Sequence, residues 1–337
     1  MAKDTIPNRF GFRPVAAARS FLALSPFLAL FFLSGNRETL SVAILGGGLF
    51  IAAETLGLGV RLLLLHYVLS LAAFAVLFIS IGNGLGFTVL AAVMALAVVA
   101  STRQFAQLRS FGNWVFLPAV YLACELGDSL DGPERLALLP SVLLYSLLAP
   151  ASVGLLRTLW PNPDLPSVHR SLRDVHARFP ESNPDWKSQS AAAFVSVLAV
   201  TGIAETFQLP NRQWMIWSAL SVISLDRRDS PAKIKDRLFG VLVGCPLGIL
   251  AGLPIPPSGA AYSVTILLIL VTLVAFERYR TAFTLRCALT AFAALMAGGS
   301  FAVGGERVVN VIFGGAAGFA ALQAAGRCRW SPFAPRK

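Results

Sequence analysis

Long, almost uninterrupted apolar blocks are the feature that most constrains how this chain folds. A helix needs about 20 mostly apolar residues to cross a bilayer, and blocks of that order recur along the whole sequence. They predict an all-α integral membrane protein with about twelve transmembrane helices, of which the eighth is the shortest. The predicted spans are 15–33, 40–58, 62–81, 84–100, 111–127, 136–156, 189–207, 213–225, 236–253, 260–276, 281–302 and 306–324.

Composition argues against a soluble protein. Hydrophobic residues make up 56% of the chain and charged residues only 13%, whereas soluble domains carry about 25% charged residues. The net charge of +11 would suggest nucleic-acid binding in a soluble protein. In a membrane protein it indicates basic cytoplasmic loops instead, so we expect the lipid bilayer as the surroundings and no nucleic-acid partner.

The distribution of Lys and Arg predicts the orientation in the membrane. Basic residues concentrate in short loops on the cytoplasmic side. If the N-terminus is inside, the twelve-span arrangement places almost all basic residues on that side, and both termini are then cytoplasmic. The exceptions, which fall on the outer side, are Arg37, Arg135, Arg212 and Arg307.

The spans divide into two halves of six. An even number of spans returns the chain to the side on which it started, so the halves are predicted to be parallel repeats. The predicted divisions are 1–156 for the first half, 157–187 for a polar cytoplasmic connector, 188–326 for the second half and 327–337 for a basic cytoplasmic tail.

Glycines at every fourth position form the strongest local pattern. This spacing leaves one helix face without side chains and lets another helix approach closely, so helix packing is the first interpretation. A smooth face along which helices slide during transport is the alternative. The glycines are Gly240, Gly244, Gly248 and Gly252, with Gly314 and Gly318 in the last span.

Ionisable residues inside spans are costly in a bilayer and are therefore functional candidates. Glu54 and His66 are candidates for carrying a proton, although Glu54 could equally form a structural ion pair with Arg61, and His66 could be a packing residue. Arg61 and Arg286 could attract an anionic substrate or extend to the cytoplasmic interface.

Two tryptophans lie near the outer end of the short eighth span. Trp214 and Trp217 are either interfacial anchors or a stacking surface for a planar ligand. The counterpart of this span in the first half contains Gly46-Gly47-Gly48. Because short or glycine-interrupted spans at matching positions mark transporter sites, this pairing favours a binding site between the halves.

An enzyme is the least favoured function. Asp226 and Asp229 could hold Mg²⁺ for a diphosphate substrate, but membrane prenyltransferases need a second acidic motif, and the first half supplies none. The sequence also lacks the metalloprotease, esterase and phosphate-binding-loop motifs. We therefore expect no catalytic residue, no metal and no cofactor, and an ion gradient or another subunit as the source of energy for transport.

A Trp-containing helix at 211–222, a turn with Asp226 and a helix that opens with Arg237-x-x-Gly240 follow one another in the second half. This pattern resembles the FUSC family, the fusaric-acid-resistance and aromatic-acid-exporter proteins of the bacterial inner membrane. Val241 replaces the family's threonine. The chain looks like a short form that lacks the family's large cytoplasmic domain.

The resemblance implies efflux of small aromatic or otherwise toxic organic acids, with a periplasmic adaptor protein and an outer-membrane channel as partners. We expect Arg61, Arg237 and Arg286 to attract the carboxylate, and Trp214 and Trp217 to contact the ring. Transport would proceed by alternating access between the two halves, and a homo-oligomer is compatible with this scheme. The alternative is a non-transporting scaffold that docks the adaptor or an export machine.

Overall fold

A computed structural model describes residues 11–128, 130–162, 169 and 171–327. In this part of the chain the fold is all-helical, without a β-strand, which confirms the predicted class. The predicted tail beyond residue 327 and residues 163–168 of the connector lie outside the described residues. The helices are α1 (Pro14–Ser34), α2 (Glu38–Leu56), α3 (Val60–Ser80), α4 (Gly84–Ala100), α5 (Leu108–Gly127), α6 (Gly132–Ser146), α7 (Leu148–Leu159), α8 (Leu172–Arg178), α9 (Trp186–Thr206), α10 (Arg212–Val222), α11 (Ser230–Gly252), α12 (Gly259–Val271), α13 (Tyr279–Met296) and α14 (Ala302–Arg327).

Seven helical segments among the described residues are long and apolar enough to cross a membrane. The chain is therefore a multi-pass membrane protein. Each of the twelve predicted spans overlaps a helix, but several of these helices are too short or too polar to qualify by themselves, so the count of twelve stays a prediction. The qualifying segments are Pro14–Ser34, Glu38–Leu56, Val60–Ser80, Gly84–Arg103, Gly132–Leu159, Trp186–Thr206 and Ala302–Arg327.

Several helix contacts of the first half recur at matching positions in the second half. In the first half, α1 packs on α2 and α7, α2 packs on α6 and α7, and α5 packs on α3 and α4. In the second half, α9 packs on α10 and α14, α10 packs on α14, and α13 packs on α11 and α12. Between the halves, α4 packs on α9 and α1 packs on α12.

Helix α2 is the most enclosed of the qualifying segments, since 83% of its apolar stretch is buried inside the protein. It contacts α1, α5, α6, α7 and α12. Its glycines allow the neighbouring helices to approach α2 closely. A Cβ at Gly46 would lie 2.8 Å from the Phe27 ring, and one at Gly48 would lie 2.7 Å from Cγ of Pro118. Larger side chains at these positions would push α1 and α5 away.

The connector is tied to the ends of the first-half helices by backbone hydrogen bonds. His169 donates to the carbonyl of Gly57 and accepts from the amide of Gly59, at 2.8 and 2.7 Å. Asn183 donates to the carbonyl of Thr102 at 3.1 Å. The described part of the connector is therefore attached to the α2–α3 turn and to the chain that follows α4.

Candidate functional site: a cavity between the two halves

A cavity of about 250 Å³ lies where the two halves meet. Helices α2 and α5 of the first half contribute to its wall, together with α10, α11, α12, α13 and α14 of the second half. Its apolar part comes from α2, α12, α13 and α14. The aromatic and charged side chains on the wall are Tyr121, Trp214, Trp217, Tyr262, Phe283, Glu125, Arg237, Arg286 and Arg307.

Arg286 is held by the early end of α12. That helix stops at Val271, five residues before the end of the predicted span 260–276. Thr272 then presents both its hydroxyl and its carbonyl to the neighbouring helix α13. Arg286 donates from Nε to Thr272 Oγ1 at 3.0 Å and from Nη2 to the Thr272 carbonyl at 3.3 Å. Both partners are neutral, so they orient the guanidinium without balancing its charge.

Arg237 lies within α11, where it is buried, and its hydrogen-bond partners are also neutral. Its Nη1 donates to the hydroxyl of Tyr279 at 2.8 Å, and its Nε donates to Oγ of Ser218 at 3.2 Å. The guanidinium lies 4.4 Å from the centre of the Phe283 ring. This cation–π contact fixes the plane of the group against an aromatic wall of the cavity.

Arg307 enters the cavity from the start of α14. Its side chain is only 7% exposed, and its guanidinium lies 4.8 Å from the centre of the Trp214 ring. Its Nε has no hydrogen-bond partner among the described residues. An unsatisfied buried donor carries a desolvation cost, which a ligand that accepts this hydrogen bond would remove.

None of these three arginines has a carboxylate within ion-pair distance in the described part of the chain. Two of the buried arginines elsewhere do have one: Arg19 pairs with Glu54, and Arg212 pairs with Asp128 and Glu205. Since isolated buried charges are costly, the cavity has an uncompensated positive character that suits an anion.

The aromatic residues form the remaining side of the cavity. Trp217 meets the rings of Trp114 and Tyr121 edge to face, at centroid separations of 6.4 and 6.5 Å. Trp214 is buried, with 7% of its surface exposed. Trp217 therefore packs against α5 of the first half, and Trp214 is buried beside Arg307 of α14.

Residues 198–321 match the model of a family described as fusaric acid resistance protein-like. This segment, called the FUSC segment below, is similar to that family and covers less than half of the chain. No curated protein and no solved structure matches the chain. The FUSC segment contains both cavity tryptophans and all three cavity arginines, whereas Tyr121 and Glu125 come from the other half.

Three of the predicted site residues lie away from the cavity. Arg61 is exposed at the start of α3. Glu54 does not pair with Arg61: its carboxylate accepts from Arg19 at 2.8 Å. His66 is buried, and its ring meets Phe111 edge to face at a centroid separation of 4.8 Å. The roles proposed for them in substrate binding and proton transfer remain predictions, and none is at the wall that holds the other candidates.

The glycines of the FUSC segment lie at close helix contacts. In α11, Gly244 and Gly248 face the backbone of α13, where a Cβ at Gly248 would lie 2.7 Å from the carbonyl carbon of Ala288. Gly240 and Gly252 face Phe283 and Leu295 of the same helix. In α14, Gly314 and Gly318 face the backbone of α10 at Met215 and Ala219.

The acidic residues between positions 125 and 134 lie at the end of α5 and at the start of α6. Glu125 belongs to α5 and lines the cavity. Asp128 caps that helix and pairs with Arg212 at 2.5 Å. Glu134 belongs to α6, where it completes a capping box with Asp131. Asp128 therefore links the end of α5 to the start of α10.

Sequence reasoning did not identify Tyr121, Glu125, Tyr262, Phe283 and Arg307 as site residues. A signal did exist for Arg307, which is one of the four basic residues on the predicted outer side. Two of those exceptions, Arg212 and Arg307, are buried, at 8% and 7% exposure. Burial is therefore more frequent among the basic residues that the positive-inside rule places on the outer side than among those on the cytoplasmic side. The aromatic residues carried no comparable signal.

Proposed function

We propose that this protein exports small organic acids with an aromatic ring through the cavity between its two halves. One observation carries the proposal: three arginines without carboxylate partners share a cavity of about 250 Å³ with five aromatic side chains. The match of residues 198–321 to the fusaric acid resistance protein-like family supports the same class of function, since that description refers to resistance to an organic acid.

The volume of the cavity fits a single-ring ligand. An apolar protein cavity of about 150 Å³ accommodates benzene, so about 250 Å³ leaves room for a ring with one or two acidic groups. The aromatic walls would contact the faces and edges of the ring. The arginines would bind the carboxylate through charge-assisted hydrogen bonds.

The proposed mechanism is alternating access. The matching helix contacts of the two halves favour two parallel repeats that rock against each other around the cavity. A second cavity of about 330 Å³ is lined by Arg13, Arg19 and Glu54, and Leu273 lines both cavities. We propose that the second cavity is the cytoplasmic entrance and that Leu273 separates it from the binding site.

An ion gradient would drive the cycle. Glu54 and His66 stay as candidates for proton transfer, and Glu125 joins them because it is the carboxyl on the wall of the main cavity. Separate Glu54→Gln, His66→Gln and Glu125→Gln variants would each be tested for efflux with and without a protonophore. The residue that couples transport to protons is the one whose substitution makes the remaining efflux insensitive to the protonophore.

Efflux from cells that express or lack the protein is the direct test. Cells would be loaded with a panel of labelled aromatic carboxylic acids, and expression-dependent loss of at least one acid is expected. Arg286→Gln should slow that loss about 10-fold or more, because a hydrogen bond to a charged group contributes about 1.5–3 kcal/mol. Arg280→Gln is the matched control, since Arg280 lies on the same helix but is exposed and bonded to Asp236.

An absence of expression-dependent loss for every acid, with the protein in the membrane and its adaptor co-expressed, would contradict the transport proposal. Function that survives neutralisation of all three cavity arginines would instead favour the scaffold. We propose the bacterial inner membrane as the location, with cytoplasmic termini, a periplasmic adaptor and an outer-membrane channel as partners. Co-purification of the adaptor with the full chain would test that assembly.

A further inference from the structure

The charges on the wall of the main cavity do not balance. Arg237, Arg286 and Arg307 contribute three positive charges, and Glu125 is the one carboxyl residue on the described wall. The result is an excess of two positive charges. A ligand with a single carboxylate would neutralise only half of this excess.

The three arginines form a cluster of like charges. Arg237, Arg286 and Arg307 all line the same cavity of about 250 Å³. Their close contacts are neutral: Tyr279 and Ser218 for Arg237, Thr272 for Arg286, and the Trp214 ring for Arg307. Like charges held together in a poorly solvated space repel strongly, so the cluster favours a counter-charge greater than one.

Other buried arginines in this protein show how the fold neutralises such groups. Arg212 has two carboxylates. Arg109 donates from Nη2 to the carbonyls of Leu220 and Ile223, at 3.1 and 2.8 Å, and these carbonyls lie at the C-terminal end of α10, where the helix dipole is negative. The cavity arginines receive neither kind of compensation from the described residues.

We propose that the preferred substrates of the cavity are aromatic dianions: a single ring that carries two acidic groups. This inference rests on the proposed function and deepens it by assigning the charge of the substrate. One acidic group would bind near Arg237 and Arg286, at the wall formed by α11 and α13. The other would accept from Arg307, whose buried Nε has no partner among the described residues. The rings of Phe283 and Trp214, each stacked on one of these arginines, would flank the ring of the substrate.

Isothermal titration calorimetry of the full chain in lipid nanodiscs tests this inference with two probes. Isophthalate and benzoate share the same ring and differ by one carboxylate. We expect isophthalate to bind at least about 10-fold more tightly, the factor that one additional charge-assisted hydrogen bond provides. In Arg286→Gln this preference should fall towards unity, while the exposed-site control Arg280→Gln should retain it.

The outcomes separate the two proposals. Equal affinity for isophthalate and benzoate in the wild-type protein would overturn the dianion inference and leave the export of monocarboxylic acids in place. Binding of neither probe, together with no efflux of any aromatic acid, would overturn the proposed function as well. Because the decisive comparison uses the wild-type protein, it does not depend on whether a variant folds.

Discussion

At the residue scale, Arg19 and Glu54 form an ion pair in which the charge of a buried arginine is balanced by a carboxylate. Arg19 is 1% exposed, and its Nη2 lies 2.8 Å from Oε1 of Glu54. The guanidinium also stacks near the ring of Trp160 and donates to its carbonyl. These contacts join α1, α2 and the end of α7, so the pair is expected to contribute to stability.

We expect Glu54→Gln to lower the free energy of unfolding by about 3 kcal/mol, because removing one partner of a buried pair leaves the other charge uncompensated. The midpoint of thermal unfolding in detergent would measure the change. The double variant Arg19→Met, Glu54→Leu should recover much of the loss, since apolar replacement of a whole pair is often neutral. An unchanged midpoint in Glu54→Gln would show that the ion pair is dispensable for stability. It would then strengthen Glu54 as a candidate for proton transfer.

Sequence reasoning found part of the site at this scale for a definable reason. Arg237, Arg286, Trp214 and Trp217 stand out because they interrupt apolar blocks or open a glycine-rich helix. Whether such a residue lines a cavity depends on helices distant in sequence. Glu54 and Arg61 are near neighbours in the chain, for example, yet the partner of Glu54 is Arg19 on another helix. Sequence spacing carries no information about that choice.

At the element scale, the glycines decide how closely helices approach. In α14, Gly314 faces the carbonyl group of Met215, and a Cβ there would lie 2.9 Å from the carbonyl carbon. Gly305 lies on the same helix, but a Cβ at that position would meet no atom within 4 Å. The two glycines therefore separate the effect of helix packing from that of helix propensity.

Gly314→Ala should destabilise the protein by about 1–3 kcal/mol, the usual cost of overpacking. Gly305→Ala should be neutral or stabilise it by up to about 1 kcal/mol, because alanine is the better helix former. Thermal unfolding of both variants checks this. If both variants unfold like the wild type, α10 and α14 can separate at little cost, and the interpretation as a sliding surface gains support.

The predicted spans locate the helices well but miss two interruptions. The sixth predicted span, 136–156, consists of α6 and α7, which are separated at Leu147. Pro150 explains this break, because it has no amide to donate to the carbonyl of Ser146. The early end of α12 at Val271 has no such signal. Residues 272–276 contain neither glycine nor proline, and the contacts of Thr272 with Arg286 depend on tertiary packing.

At the scale of the whole molecule, the predicted orientation makes a specific claim about two exposed positions. Gly132, at the start of α6, should lie on the outer side, and Arg173, in α8 of the connector, should be cytoplasmic. The segment Gly132–Leu159 between them is long and apolar enough to cross the membrane. The positive-inside rule thus predicts opposite sides for two sites that are close in the chain.

Cysteine labelling in spheroplasts checks the claim, in a background with the four native cysteines replaced. A membrane-impermeant maleimide should label Gly132→Cys in intact spheroplasts and Arg173→Cys only after permeabilisation. The opposite pattern would invert the orientation and move the proposed entrance to the outer side. Equal labelling of both sites before permeabilisation would mean that Gly132–Leu159 does not cross the membrane.

The enclosed position of α2 has a consequence for how the protein is made. This helix is synthesised before several of its neighbours, which include α5, α6 and α7, and also α12 from the other half. Its surroundings are therefore incomplete until the chain has been synthesised as far as α12. Until then, lipid must occupy the place of the missing helices, and the apolar character of α2 makes that tolerable. The enclosure of α2 is therefore complete only after part of the second half has been synthesised.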